Sequence, residues 1–144
     1  MKSLGWALLA LAILVPSHGR AQALDAGKLV GRWTGEGVFF KADLNALVDS
    51  LPFVVQFETG RPPSGRVGGA TFQDARITTT RSRIEIAAKL NGLVAEAPAL
   101  AKDHLVLLVT AITDTSIQAE FHLKSALPYD PRMREGRVLL TRVR

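Results

Sequence analysis

Strict alternation of apolar and polar residues is the feature that most narrows what this chain can become. Residues 82–90 (SRIEIAAKL) send Ile84, Ile86, Ala88 and Leu90 to one side and Arg83, Glu85 and Lys89 to the other. Residues 117–124 (IQAEFHLK) repeat the scheme, with Ile117, Ala119, Phe121 and Leu123 opposing Gln118, Glu120, His122 and Lys124. A period of two matches a strand with one buried face and does not match a helix. It also fixes register, because a slip of one residue would turn every apolar side chain to water.

The same pattern predicts further strands over 29–40, 53–58, 66–72, 75–80, 105–112 and 137–143, about eight in all. Turn chemistry separates them. Residues 59–65 hold Pro62 and Pro63, which cannot both serve a ladder, and 72–75 and 113–116 read as tight connections. One segment departs from alternation. Over 41–51 (KADLNALVDSL), Leu44, Leu47, Val48 and Leu51 fall at helical spacing, and Pro52 follows as a stop. Residues 91–103 stay ambiguous between a turn at Asn91-Gly92 and a short extra strand over 93–96. The expected class is therefore all-β: an antiparallel barrel of about eight strands with one short helix after the first.

Within the first strand, residues 31–40 (GRWTGEGVFF) place Trp33, Gly35, Gly37 and Phe39 on one face and Arg32, Thr34 and Glu36 on the other. Glycine inside a strand marks a sharp bend or a close approach to the backbone. A first strand coiling into a barrel has that need.

Residues 1–23 read as an export leader rather than as part of the fold. Lys2 precedes an apolar run over 4–15, Pro16 and Gly19 break it, and Ala21-Gln22-Ala23 offers a small-x-small cleavage pattern. The run is shorter than the roughly 20 residues a membrane-spanning helix needs. Residues 24–144 then form one domain, periplasmic or secreted. With no cysteine in the chain, neither a lipid-modified cysteine nor a disulfide is possible, and core burial alone must hold the domain. Eighteen basic residues less Lys2 and Arg20 is 16, against 13 acidic, a net +3. Nucleic acid is an improbable partner for an exported chain, whereas anionic lipid headgroups suit a mild positive charge.

Gly31-Arg32-Trp33, following Leu29-Val30 at the opening of the first strand, resembles the G-x-W signature of the lipocalin and fatty-acid-binding (calycin) group. The resemblance implies a barrel whose Trp33 plugs one end while an arginine of the last strand packs across it. Thr141-Arg142-Val143 is similar to the Thr-Arg-x-Tyr ending of the intracellular fatty-acid binders, which would make Arg142 a holder of a ligand carboxylate. Arg144 stands where that subgroup has tyrosine, and the predicted helical insert is about half as long.

Catalytic chemistry is sparse. His104 and His122, the histidines beyond the leader, lack metal-ligand spacing, no G-x-S-x-G elbow surrounds a serine, and the acidic residues are dispersed. No catalytic residue, metal or cofactor is assigned. Two features remain. Arg142 and Arg144 share a face with Val138 and Leu140, so with Trp33 they form the candidate ligand-binding set for an amphipathic or anionic ligand, a lipid among them. The stretch 125–135 (SALPYDPRMRE) is long for a hairpin loop, and Tyr129, Arg132 and Arg134 make it a candidate protein-binding tip.

Two functions follow. One is an exported binding protein with a ligand inside its barrel. The other is a protein-interaction module with a solid core, acting as an inhibitor or envelope assembly factor. An apolar interior void of roughly 300 Å³ would favour the first. A filled core with an exposed apolar patch would favour the second.

Overall fold

The structure, a computed structural model, describes residues 24–40, 50–92, 94, 103–124 and 134–144. A short 3₁₀ turn, Ala26–Leu29, leads into eight strands: β1 Gly31–Phe39, β2 Ser50–Phe57, β3 Ser64–Val67, β4 Ala70–Thr79, β5 Ile84–Asn91, β6 His104–Ile112, β7 Ser116–Lys124 and β8 Arg134–Arg142. Each strand pairs antiparallel with the next, and β8 returns to β1 to close the barrel. Closure removes both sheet edges, which is how an up-and-down barrel avoids unpaired backbone groups.

Alternation sorts the wall as the sequence predicts. On β5, Ile84, Ile86, Ala88 and Leu90 are buried; on β7, Ile117, Ala119, Phe121 and Leu123 are. Charged side chains such as Arg32, Glu36, Arg66, Lys89 and Arg137 are exposed on the outer wall. A membrane-spanning barrel has the reverse arrangement, with its apolar band outward.

The interior is filled by side chains. Trp33, Phe53, Phe121, Leu51, Ile84, Ile86, Leu105, Leu107, Ile117, Leu123 and Leu140 are all buried to within 2 % of complete. Removing each from water contributes about 1.5–3 kcal/mol. Phe121 packs against two further rings, with centroids 5.1 Å from Phe53 and 5.5 Å from Phe39. Two glycines make room for it. A Cβ on Gly37 would stand 2.5 Å from Phe53 Cε2 and 2.8 Å from Phe121 Cε1. A Cβ on Gly136 would overlap the Val38 carbonyl of β1 and stand 2.6 Å from Phe121 Cζ. Gly35 serves a different contact, since its Cβ would overlap the Leu139 carbonyl of β8. Among the glycines of the opening motif, Gly37 thus makes space for a ring and Gly35 lets two strands close up.

The meander gives the barrel two unlike ends. At one, short connections join β2 to β3, β4 to β5 and β6 to β7, and the Ala26–Leu29 turn lies against Trp33. At the other, strand ends are joined through 41–49, 93–102 and 125–133, of which only Val94 is described; it is buried in the core.

Several local expectations are corrected. The strands expected over 66–72 and 75–80 are differently cut: β3 and β4 turn at Gly68 and Gly69, with Gly68 at φ 58° in the left-handed region. The break expected at 72–75 is instead a bulge inside β4, where pairing with β5 shifts between Gln73 and Arg76 and Asp74 adopts φ 48°. Asp74 tolerates that conformation better than most residues, so its turn-like signal has a physical basis. Leu29 and Val30 precede the first strand rather than opening it. Of the helix expected over 41–51, residues 41–49 lie outside the described residues, while Ser50, Leu51 and Pro52 belong to β2. Among the described residues the one helical element is the 3₁₀ turn before β1. Residues 1–23 also lie outside the described set, and no helix within it is long and apolar enough to cross a membrane.

Candidate functional site

Trp33 and Arg142 occupy directly paired positions on β1 and β8. The indole is fully buried, and its Nε1 donates a 2.7 Å hydrogen bond to the Leu29 carbonyl. The Arg142 guanidinium lies over the ring, 4.2 Å from its centroid. Its Nε donates to the Asp114 carbonyl at 2.8 Å, Nη1 to Val30 at 2.6 Å and Nη2 to Lys28 at 2.9 Å. A rigid fork suits this task, since one arginine ties the N-terminal turn, the β6–β7 turn and both closing strands together. Lys28 and Asp114 reinforce the junction with a 3.7 Å ion pair.

Of the residues singled out from the sequence, Trp33 and Arg142 are therefore brought together, at the end that carries the Ala26–Leu29 turn, while Arg144 is exposed beyond β8. Tyr129 and Arg132 lie outside the described residues. Arg134 opens β8 opposite Leu123.

The described open spaces lie on the outer wall. One groove of about 450 Å³ crosses β1, β8, β7 and β6 and is lined by Glu36, Val38, Gln118, Arg137 and Leu139 among others. Val38 and Leu139 are 54 % and 52 % exposed, the largest values among the exposed apolar side chains. Register sets Val38 beside Arg137 and Leu139 beside Glu36, so apolar and charged groups alternate across the seam. Arg137 also lies 5.3 Å from the Phe40 ring centroid. A second groove of about 580 Å³ crosses β4 to β7, with Arg76, Lys89, His104 and Lys124 around Ala87 and Val106.

The histidines stand apart. His104 Nδ1 is 2.9 Å from Asp103 Oδ1, and His122 Nδ1 is 3.3 Å from Glu135 Oε1. His122 Nε2 is buried without a hydrogen-bond partner among the described residues. No group of three or more metal-ligating side chains forms among those residues.

Both grooves escape a reading of single strands. Val38 and Leu139 sit at polar-face positions of their own strands, a signal visible in sequence once β1 and β8 are known to be neighbours. The second groove, which Asp74 and Glu85 line together with the cations, depends on register between four strands, which no local pattern encodes. Searches of protein-family models, curated proteins and solved structures give no match to this chain.

Proposed function

We propose that this chain is an exported, non-catalytic protein-interaction module, a filled barrel that presents the β1–β8 seam of its outer wall to another protein. The observation that carries the proposal is the contrast between the two faces of β1 and β8. Inward, Trp33, Leu140 and their neighbours keep almost no accessible surface; outward, Val38 and Leu139 are each more than half exposed. A hollow barrel would leave accessible area on its inward side chains, as a ligand site requires. An exposed apolar pair interleaved with charged groups, Val38 beside Arg137 and Leu139 beside Glu36, is what a protein surface complements.

The Trp33–Arg142 junction and the eight-strand meander support kinship with calycin-type barrels. In this account Arg142 holds the barrel shut, with three of its donors on main-chain carbonyls.

Site-specific photocrosslinking in the native host tests the proposal. A crosslinking residue at Gln118, beside Leu139 in register, should trap one defined protein, and Leu139→Glu should abolish the adduct without altering the circular dichroism spectrum. Crosslinks that persist in Leu139→Glu, or that carry only lipid, would contradict it.

A further inference from the structure

Lys89, His104 and Lys124 sit at directly paired positions on β5, β6 and β7, a row running straight across three strands. Their chain neighbours Leu90, Leu105 and Leu123 face the core, so the row faces outward. Arg76, opposite Ala87 on β4, adds a third cation to the same groove. Among the described residues, no carboxylate pairs with Arg76, Lys89 or Lys124. Two acids, Asp74 and Glu85, line the same groove; Glu85 pairs with Arg83 at 3.1 Å, and Asp103 beside the row pairs with His104 at 2.9 Å. Between the cations the floor is apolar, formed by half-buried Ala87 and Val106.

Strands about 4.8 Å apart place the backbones of Lys89 and Lys124 roughly 10 Å from each other, with His104 midway. Both lysines are exposed, and at that spacing their side chains are long enough for each to reach one anion placed above the histidine. Lys89 and Lys124 stand two strands apart, with His104 and its Asp103 partner between them. The groove lies open on the wall rather than enclosed, which suits a headgroup presented by a surface better than a small ion that must be wrapped.

We propose that the β4–β7 wall docks onto an anionic lipid layer, with Lys89, Lys124 and Arg76 taking lipid phosphates and Ala87 and Val106 resting against the apolar parts of the headgroup region. Attachment here is independent of a protein partner at the β1–β8 seam, and either can fail without the other. Each lysine near an anionic surface raises partitioning about five-fold, so the two lysines together account for about 25-fold.

Vesicle co-sedimentation of the protein purified from its host tests the proposal. Binding to vesicles of phosphatidylglycerol and phosphatidylcholine should exceed binding to phosphatidylcholine alone and weaken with added salt. Lys89→Gln/Lys124→Gln should lose about 25-fold in partitioning with an unchanged circular dichroism spectrum. Arg32→Gln/Arg66→Gln, which removes equal charge from exposed positions on β1 and β3, should bind nearly as wild type. Equal loss in both double variants, or no loss in the lysine variant, would overturn the proposal. Calorimetric binding of inorganic phosphate without vesicle association would assign the wall to a free anion and overturn it as well.

Discussion

Gly37→Ala decides by its sign whether the barrel is filled. Gly37 is buried on the inward face of β1, and its φ lies outside the left-handed region, so alanine meets no backbone penalty there. In an open interior the added methyl would be stabilising by roughly 0.5–1 kcal/mol, because alanine loses less conformational entropy than glycine on folding. Here the methyl would come within 2.5 Å of Phe53 and 2.8 Å of Phe121. Those rings are 1 % and 0 % exposed and stand 5.1 Å apart, so neither swings away without displacing its own neighbours. Overpacking of this kind costs about 1–3 kcal/mol. Net of the entropic gain, the expected destabilisation is roughly 0–2.5 kcal/mol, with about 1 kcal/mol at the middle of that range. Urea unfolding reads it as a fall in midpoint at unchanged slope. Phe121→Leu in the same chain should relieve the clash, so the double variant should be more stable than the sum of the two single effects predicts. A neutral or stabilised Gly37→Ala, additive with Phe121→Leu, would refute the packing argument.

Arg142→Ala removes three hydrogen bonds from a charged donor and the contact over Trp33. Since the freed carbonyls can regain water, the loss should be about 3 kcal/mol. Arg142→Lys should recover less than half, and a loss under about 1 kcal/mol in the alanine variant would contradict the junction's role. His122→Leu replaces a ring nitrogen that is buried without a partner among the described residues and frees a part-exposed Glu135 to water. It should be neutral or stabilising by up to about 1 kcal/mol in the same urea assay, and a clear destabilisation would show that Nε2 has a partner.

The sequence reveals the barrel because its information is local. Alternation in 82–90 and 117–124 specifies both strand and facing, and it reappears as β5 and β7 with the same inward residues. Trp33 and Arg142 were legible as a pair only through resemblance, since Lys28, Leu29, Val30 and Asp114 meet them through backbone carbonyls, which leave no side-chain signature. The misplaced break at 72–75 arose because Asp74 satisfies a bulge with the same left-handed tolerance that makes aspartate a turn residue. Ser50 and Leu51 fit both a helical spacing and a strand alternation, and pairing with β1 decides for the strand. The outer grooves were least legible of all. Their geometry exists only when Lys89, His104 and Lys124, or Val38, Arg137 and Leu139, are aligned by pairing between strands distant in sequence.

The central claim, that side chains rather than a ligand fill the interior, is tested most directly by methyl NMR under xenon pressure. Xenon enters apolar cavities that water leaves empty. Phe121→Ala, which opens a cavity within the core, should give saturable shifts of nearby methyls, including those of Leu105, Leu107 and Leu123. In the wild-type barrel the same methyls should move only linearly and slightly with xenon pressure. Saturable shifts of Ile86, Leu105, Leu107 or Leu123 in the wild type would reveal an interior void and contradict the account.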